Sequence, residues 1–229
     1  MTKRATHRYT IREAVLTRQG EGFHTGRRAV FLRFAGCNLW TGREEDRASA
    51  LCTFCDTNFV GTGGTNGGVY HSAQELTQLC GRLWESHSVV TDPLSEHPLD
   101  ESPYIVCTGG EPLLQLDELL IQTLQKWGFT VAVETNGTRP APDSLDWICV
   151  SPKLPVEQLV QSRGDELKLV YPQAHLNPAD FEDLEFSHFF LQPMDGASAE
   201  ENRIRVLDYI AEHQHWKMSE QFHKLWNIP

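Results

Sequence analysis

The chain has 229 residues, with 20 basic and 31 acidic side chains that give a net charge of −11. Its 40% hydrophobic and 22% charged residues are typical of a globular protein, which excludes disorder over the whole chain and predicts a single domain over residues 1–229. The acidic balance argues against a nucleic-acid partner, and no apolar run approaches the roughly 18–20 residues of a membrane helix. No apolar segment follows the basic start, so we expect no secretory signal and a cytoplasmic location.

Strand-like and helix-like runs alternate along the chain, which is typical of βα units and a parallel sheet. Apolar runs predict six strands, at 29–34, 104–107, 130–134, 147–150, 166–171 and 188–191. Apolar residues at helical spacing predict helices at 72–84, 112–127 and 198–212, with shorter ones at 156–161 and 177–183. These βα steps are too few for an eight-stranded barrel, so an open partial barrel or a doubly wound sheet fits the count.

Loops rich in turn-forming residues follow four of these strands, at 108–112, 134–137, 151–153 and 192–196. Each loop alone is equally well interpreted as a turn. Four in series favour one shared site, because ligands bind at the carboxyl ends of parallel strands. The glycine-rich segment 61–68 is interpreted as a loop, and the proline-bearing segment 86–102 as a surface excursion.

The six cysteines divide into two groups by their sequence context. Three lie inside apolar runs, where a cysteine is most often a small buried hydrophobe: Cys80, Cys107 and Cys149. The other three lie in a polar loop, separated by fourteen and then by two residues: Cys37, Cys52 and Cys55. A structural zinc site needs four ligands, so a histidine would have to complete one here. Alternatively, three cysteines hold a cubane iron–sulfur cluster and leave one iron open for a ligand.

Three motifs together resemble those of the radical S-adenosylmethionine superfamily: Gly36-Cys37-Asn38 after a strand, Cys52-Thr53-Phe54-Cys55, and Gly109-Gly110-Glu111-Pro112 downstream. Most members of that superfamily separate the first two cysteines by three residues, whereas this chain has fourteen between them.

That departure narrows the resemblance to one family within the superfamily. Together with Gln19-Gly20-Glu21-Gly22, Asp56-Thr57 and the ending Asn227-Ile228-Pro229, it resembles the 7-carboxy-7-deazaguanine synthase family, in particular the bacterial branch with an enlarged cluster loop. The resemblance extends over about residues 11–229.

The resemblance implies an α/β fold, specifically a partial (abridged) TIM-like (β/α)6 barrel of mostly parallel strands. It implies a carbon–nitrogen lyase that converts 6-carboxy-5,6,7,8-tetrahydropterin to 7-carboxy-7-deazaguanine with loss of ammonia, in queuosine and 7-deazapurine biosynthesis. Hydrogen abstraction by a 5′-deoxyadenosyl radical would lead to ring contraction. The implied cofactors are a [4Fe–4S] cluster, S-adenosylmethionine and Mg²⁺. The implied partners are the pterin substrate, a flavodoxin- or ferredoxin-like electron donor, and a second copy of the chain in a homodimer.

Two other functions stay open at this point. A radical S-adenosylmethionine activating enzyme acting on a partner protein would share these motifs, although such enzymes usually show the three-residue cysteine spacing. A non-enzymatic zinc-binding module would use the same cysteines without iron.

The family's functional residues carry over position by position where the motifs match. The implied cluster ligands are Cys37, Cys52 and Cys55, and the implied Mg²⁺ ligand is the Thr57 hydroxyl. The implied contacts with S-adenosylmethionine are Phe54, Cys55, Asp56, Gly110, Ser151, Pro152, Lys153, Gln192, Pro193, Met194 and Asp195. The implied substrate contacts are Arg18 (through its backbone), Gln19, Gly20, Arg33, Thr108 and Pro229.

Some positions also have a purely structural interpretation. Arg33, inside an apolar strand, forms either an ion pair or a bidentate contact with a substrate carboxylate. Glu111 either accepts a hydrogen bond from the cosubstrate ammonium or belongs to a strand-to-helix turn with Pro112. Glu21 and Glu134 are either acceptors for the pterin edge or members of salt bridges and caps.

The remaining polar features are interpreted less specifically. The mixed-charge run 43–47 is either a solvated helical face or a docking surface for the electron donor. The histidines are interpreted as surface or satisfied residues. The apolar chain end around Leu225, Trp226 and Ile228 either docks, so that the Pro229 carboxylate reaches the substrate, or only covers a hydrophobic patch.

Overall fold

A nine-stranded sheet organises the part of the chain that the computed structural model describes, residues 8–86 and 102–229. Its strands are β1 (Tyr9–Arg18), β2 (Arg28–Phe34), β3 (Gly68–Tyr70), β4 (Tyr104–Gly109), β5 (Thr130–Thr135), β6 (Trp147–Val150), β7 (Arg163–Tyr171), β8 (Glu185–Pro193) and β9 (Lys217–Met218). The helices are α1 (Ala73–Glu85), α2 (Glu118–Trp127), α3 (Ala199–Glu212) and α4 (Phe222–Trp226). Short 3-10 helices lie at Glu44–Ser49, Pro112–Leu114, Val156–Gln158 and Pro178–Phe181.

The sheet is open and mostly parallel. Its strands follow the order β3-β1-β2-β4-β5-β6-β7-β8-β9, and every neighbouring pair from β2 to β9 is parallel. The first and third strands extend it as antiparallel neighbours. The predicted α/β class with mostly parallel strands is confirmed, and all six predicted strands are present.

Helices α1, α2 and α3 pack on the same face of the sheet, which distinguishes a partial barrel from a doubly wound sheet. Alternate residues of β2 such as Val30 and Leu32 join α1 and α2 in the main core, and Leu167 of β7 packs with Val206 of α3 in a second core. Register pairs Val150 with Leu167 and Val133 with Ile148, so these cores lie on the same face. The opposite, concave face carries the remaining alternate residues of each strand.

The helix boundaries follow local capping chemistry. The predicted helix 112–127 is divided into two elements, because the Asp117 side chain accepts a hydrogen bond from the Leu120 N–H and starts α2 there. Gly128, at a φ of 113°, ends it. The apolar spacing of 112–127 continues across this break, which is why periodicity alone predicted one helix.

Two other expectations on the fold need correction, and a third concerns residues that the structure does not describe. The short helices predicted at 156–161 and 177–183 are single 3-10 turns, each starting next to a proline. The antiparallel β1 and β3 and the two-residue parallel β9 were not predicted. The proline-bearing segment 86–102 lies, apart from its two ends, outside the described residues. Among the described residues, no helix has the length and apolarity needed to cross a membrane.

The core can be tested with two adjacent leucines of α2. Leu120 is fully buried and Leu119 is 47% exposed. We expect Leu120→Ala to lower the free energy of unfolding by about 2–5 kcal/mol, because it leaves a cavity between α2 and the sheet. The matched variant Leu119→Ala should change it by no more than about 0.5 kcal/mol. Urea unfolding of the apoprotein measures both, and equal effects would contradict the assigned helix face.

Candidate functional site

A cavity of about 390 Å³ opens on the concave face of the sheet. It is lined by residues from the loops after β2, β4, β5, β6 and β8, from the loop after β1, and from the C-terminal segment. Of the residues predicted from the sequence for cluster, cosubstrate, metal and substrate, all line this cavity except Cys37 and Pro152. The structure therefore brings together residues that are up to about two hundred positions apart in the sequence.

The three loop cysteines lie at the rim of the cavity. Cys52 and Cys55 line it, and Cys37 follows β2 directly beside Gly110, where an added Cβ would collide with the Gly36 carbonyl and with Cys37 Cβ. All three are free thiols, and so are the other three cysteines, which are buried as predicted. A glycine at position 110 is thus required for the β4 loop to approach the cysteine loop.

The electrostatics of the thiols depend on their contacts with one another. A hydrogen bond from Cys52 lowers the pKa of Cys55 to about 6, and the same bond raises the pKa of Cys52. Burial raises the pKa of Cys37, against hydrogen bonds from the backbone of Leu39 and Trp40. The buried Lys153 ammonium favours the thiolate forms of Cys52 and Cys55.

The arrangement fits a cluster better than a single ion. Within the described residues, no three His, Cys, Asp or Glu side chains converge to hold one metal ion. A cubane needs no such convergence, because each cysteine binds a different iron. Cys37, Cys52 and Cys55 would each bind one iron of a [4Fe–4S] cluster and would leave the fourth iron open, whereas three cysteines alone do not supply the four ligands of structural zinc.

Lys168 of β7 is the most deeply buried cation that lines the cavity among the described residues, at 4% exposed. Its ammonium donates to Glu21 Oε2 at 2.6 Å and lies 3.6 Å from Glu134 Oε1. Burial lowers the pKa of Lys168, but these carboxylates outweigh it and raise that pKa well above its usual value. The predicted salt-bridge interpretation of Glu21 and Glu134 is confirmed, and both also line the cavity.

The loop after β1 forms the inner end of the cavity. Because β1 runs antiparallel to β2, Gln19 and Glu21 follow it at the opposite end from the loops after the parallel strands. Gln19 Nε2 donates to Glu134 Oε1 at 2.9 Å, and Glu21 Oε1 accepts from Gln192 Nε2 at 3.2 Å. Burial would raise the pKa of Glu21, but Lys168 and the Gln221 amide lower it to about 2.

The predicted substrate contacts surround this network. Thr108 Oγ1 donates to Glu134 Oε2 at 3.2 Å. Arg33 lines the cavity and also forms the predicted ion pair, since its Nε donates to Glu13 Oε1 at 2.8 Å. Arg18 Nη1 donates to the Gly26 carbonyl at 2.8 Å, so part of its guanidinium is engaged by the loop that follows it.

Glu111 does not line the cavity. It is fully buried, and its carboxylate accepts from the Leu113 N–H, the Thr135 hydroxyl and the Asn136 N–H at 2.8–2.9 Å. The turn interpretation of Glu111 is therefore supported, because its carboxylate holds the β4 loop to the β5 loop, and its contact with the cosubstrate ammonium stays a prediction. Burial raises the pKa of Glu111 despite these donors.

Two predicted cosubstrate contacts are tied together at the rim. Lys224 Nζ donates to Asp56 Oδ2 at 2.7 Å and also to Asp195 Oδ2. The Asp56 oxygen receives a second bond, from Gln221 Nε2 at 3.3 Å. Thr57 lines the cavity beside Asp56, whose bonded oxygen makes it less available to a metal ion.

The other predicted cosubstrate contacts lie in the loops after β6 and β8. Lys153 Nζ donates to the Ser151 carbonyl at 2.9 Å and lies 5.9 Å from the centre of the Phe54 ring. Pro152, which lies between Ser151 and Lys153 in the sequence, does not line the cavity. Its carbonyl accepts from Gln173 Nε2 at 3.3 Å.

The C-terminal segment is held by polar contacts rather than by its apolar side chains. The Phe222 N–H donates to the Gly20 carbonyl at 2.9 Å, and Thr17 Oγ1 donates to the main-chain oxygen of Pro229 at 3.1 Å. Leu225 and Trp226 are 73% and 43% exposed, so the expected apolar anchor is wrong for these two residues. Pro229 nevertheless lines the cavity.

Sequence reasoning missed several polar residues that line the cavity: Arg12, Glu13, Asn58, Lys168, Gln221, His223 and Lys224. His223 was expected to be a surface or satisfied residue; its side chain is 29% exposed and its Nδ1 lies 3.9 Å from Glu21 Oε1. The only local signal was the charged residue inside the apolar strand 166–171, since a buried lysine requires partners.

Two known proteins to which this chain is similar share one name. No family model matches the chain. It is similar to the 7-carboxy-7-deazaguanine synthase of Bradyrhizobium diazoefficiens, 54% identical over 94% of this chain and 97% of the relative. The same-named protein of Bordetella pertussis is 52% identical, over 96% and 99%. Among solved structures, the crystal structure of QueE from Escherichia coli gives a TM-score of 0.64 at 23% identity, over 93% of this chain and 94% of that one, which supports the fold.

The ion pair at the inner end predicts a pH-dependent contribution to stability. The pKa of Glu21 lies near 2 in the folded protein against 4.5 normally, so its stabilisation is present above pH 4.5 and is lost as the pH falls toward 2. Glu21→Gln should lower the free energy of unfolding by about 3 kcal/mol at pH 7, and the difference from wild type should narrow between pH 5 and pH 3.

Urea unfolding of the apoprotein at several pH values measures this difference. The control is Glu45→Gln, because Glu45 is 74% exposed and lies 3.9 Å from its partner Arg43. It should stay within about 0.5 kcal/mol of wild type throughout. A pH-independent effect of Glu21→Gln would contradict the assigned ion pair.

Proposed function

The chain belongs to the 7-carboxy-7-deazaguanine synthase family, and from this premise we propose that its concave-face cavity converts 6-carboxy-5,6,7,8-tetrahydropterin to 7-carboxy-7-deazaguanine with loss of ammonia. The observation that carries the proposal is the convergence of three free thiols with the polar cavity lining. The cavity volume of about 390 Å³ is in the range of small-molecule sites. The product would enter queuosine and related 7-deazapurine biosynthesis.

Cys37, Cys52 and Cys55 would hold a [4Fe–4S] cluster at the rim. With S-adenosylmethionine bound, the cluster supplies one-electron cleavage of a sulfonium C–S bond and hence a 5′-deoxyadenosyl radical that abstracts a substrate hydrogen and starts the ring contraction. Phe54, Ser151 and Lys153 lie beside the cysteines and would orient the cosubstrate there, as would Gly110, where the absence of a side chain leaves room.

Asp56, Gln192, Pro193, Met194 and Asp195 would form the opposite wall of the cosubstrate site. The Met194 carbonyl is fixed by Asn202 Nδ2 at 2.8 Å, which connects this wall to α3. Pro152 would act by shaping the loop between Ser151 and Lys153, since it does not line the cavity itself.

The inner end of the cavity would bind and orient the pterin. Among the described residues, Glu21 Oε2 accepts from Lys168 and Glu134 Oε2 accepts from Thr108, so each of these oxygens keeps an acceptor position for a pterin N–H group. The Arg33 guanidinium pairs with Glu13 through Nε, so its terminal nitrogens suit the substrate carboxylate. Gln19, Gly20, Thr108 and Pro229 complete this end, with Arg18 contributing through its backbone.

Mg²⁺ would bind between the Thr57 hydroxyl and the substrate. Magnesium prefers oxygen ligands and keeps several waters, so one hydroxyl beside a substrate carboxylate is a sufficient protein contribution. The ion pair of Asp56 with Lys224 favours Thr57 over Asp56 for this role.

The proposal extends to a homodimer and to a flavodoxin- or ferredoxin-like electron donor, because one-electron chemistry at the cysteines requires a reductant. It also includes a cytoplasmic location, which agrees with six free thiols among the described residues. Sedimentation of the reconstituted protein tests the dimer, and turnover with purified donor proteins tests the reductant.

The decisive experiment is anaerobic reconstitution of cysteine variants. We expect Cys37→Ala, Cys52→Ala and Cys55→Ala to lose iron, sulfide and product formation, because three thiolates hold the cluster. Cys107→Ala is the matched control, since Cys107 is buried in the core and should only lower stability. Iron and sulfide analysis with product detection measures the outcome. A Cys52→Ala protein with full cluster and turnover would refute the proposal.

The metal role of Thr57 predicts a second outcome. Chelator treatment should slow turnover and added Mg²⁺ should restore it, while Thr57→Ala should weaken this response without loss of the cluster, because water can replace one ligand. Thr57→Ser keeps the hydroxyl and should behave like wild type. Initial rates against Mg²⁺ concentration measure the difference. An unchanged Mg²⁺ response in Thr57→Ala would remove Thr57 from the metal site.

A further inference from the structure

Arg47 occupies an unusual position within the charge run 43–47. It lies in the 3-10 helix Glu44–Ser49, inside the fourteen residues that separate Cys37 from Cys52. Its Nε donates to both carboxylate oxygens of Glu44, at 2.8 and 2.9 Å. Its Nη1 donates to the carbonyls of Thr53 and Cys55, at 3.0 and 3.1 Å. One guanidinium therefore connects the inserted helix to the backbone of the Cys-x-x-Cys segment.

The guanidinium is itself held in place by an aromatic ring. Arg47 Cζ lies 4.1 Å from the centre of the Trp40 ring. Trp40 is 8% exposed and packs edge to face against Phe59, which is 1% exposed. A cation stacked on a ring that is fixed in the core loses little further freedom when it binds the two carbonyls.

Arg43 in the same run behaves differently. Its side chain is 71% exposed and reaches only Glu45, at 3.9 Å. The two arginines therefore have separate roles, and the run as a whole is neither a uniformly solvated face nor a uniformly free docking surface.

Peptide geometry connects Arg47 to the backbone of the cysteine segment. In a trans peptide the N–H points opposite to the preceding carbonyl, so a Thr53 carbonyl directed at Arg47 turns the Phe54 N–H away from it. The two carbonyls that Arg47 binds belong to Thr53 and Cys55, so the guanidinium fixes the orientation of the peptide planes that follow these two residues.

We propose that Arg47 is a positioning residue that sets the backbone of Cys52–Cys55 and thereby presents the thiols of this segment for cluster binding. The proposal rests on the proposed function for the identity of the cluster. Arg47 touches no reacting atom; it acts through the two carbonyls it binds and through its charge. N–H bonds to cluster sulfurs and nearby charges both set the reduction potential of iron–sulfur clusters.

The first test uses the full-length apoprotein and needs no metal. Hydrogen exchange at the amides of residues 52–56 is compared in wild type, Arg47→Met, Arg47→Lys and the control Arg43→Met. Losing two charge-assisted hydrogen bonds should speed exchange in Arg47→Met by about tenfold or more. Arg47→Lys keeps a positive charge over Trp40 but loses the planar guanidinium that binds two carbonyls at once, so its exchange rate should lie between those of wild type and Arg47→Met. Arg43→Met should match wild type.

The second test loads the same proteins with iron and sulfide. Arg47→Met should bind about half the wild-type iron or less under limiting iron, and its loaded cluster should have a more negative reduction potential, because a positive charge near the cluster is lost. Arg43→Met should match wild type in both. A role confined to loop stability would change the exchange without shifting the potential of the loaded cluster, and that result would overturn the proposal.

The outcomes separate this proposal from the proposed function. If wild type binds no cluster, the proposed function fails, and faster exchange in Arg47→Met still supports Arg47 as the residue that sets this backbone. If wild type binds the cluster and Arg47→Met equals it in exchange, iron content and potential, the Arg47 proposal is wrong and the function stands. If Arg47→Met does not fold, Arg47→Lys is compared with wild type in the same two tests, because it retains the positive charge stacked on Trp40.

Discussion

A buried ammonium determines how the inner end of the cavity is built. The Lys168 side chain is 6% exposed, and a cation so placed is stable only with carboxylates around it. Those carboxylates come from two remote places, Glu21 in the loop after β1 and Glu134 in β5. Glu21 in turn accepts from Gln192 of β8 and Gln221 of the C-terminal segment. One buried charge thus joins four separate parts of the chain around the cavity.

The one-sided packing of the helices explains why a polar network exists there at all. Strand residues alternate between faces, so Leu167 and Leu169 lie in the core with α3, while Glu166 and Lys168 face the concave side. A doubly wound sheet would cover that side with further helices and make its residues apolar. In this chain the concave side is apolar around Tyr104, Val106 and Ala132 and polar around Lys168 and Glu134. Glu111 secures the loops at its rim by joining the β4 and β5 loops from behind.

The sequence predicts the parts of this structure that depend on local pattern, and fails where distant charges pair. Apolar runs and helical spacing identified the parallel strands other than β9 and the amphipathic faces, and the strand-end rule identified the loops holding Gly110, Ser151 and Met194. The same rule could not place Gln19 and Glu21, because they follow an antiparallel strand. Lys168 and Lys224 bind carboxylates 147 and 168 residues away, which no local pattern records. The prediction that apolar side chains anchor the chain end failed for the same reason, because a hydrogen bond to the distant Gly20 carbonyl holds this segment.

Lys168 and Lys224 each bind two carboxylates, at opposite ends of the cavity. They differ in how deeply they are buried, and therefore in how much each ion pair contributes to stability. Lys168 is nearly inaccessible to water, so the loss of a carboxylate partner would leave a buried charge without compensation. The Lys224 side chain is 39% exposed, and Asp56 and Asp195 are each 47% exposed, so water can replace any one of these contacts at a cost of about 1 kcal/mol or less. The inner end is therefore held by a buried ion pair that cannot be broken without a large cost, whereas the rim is held by exposed ion pairs that contribute little to stability.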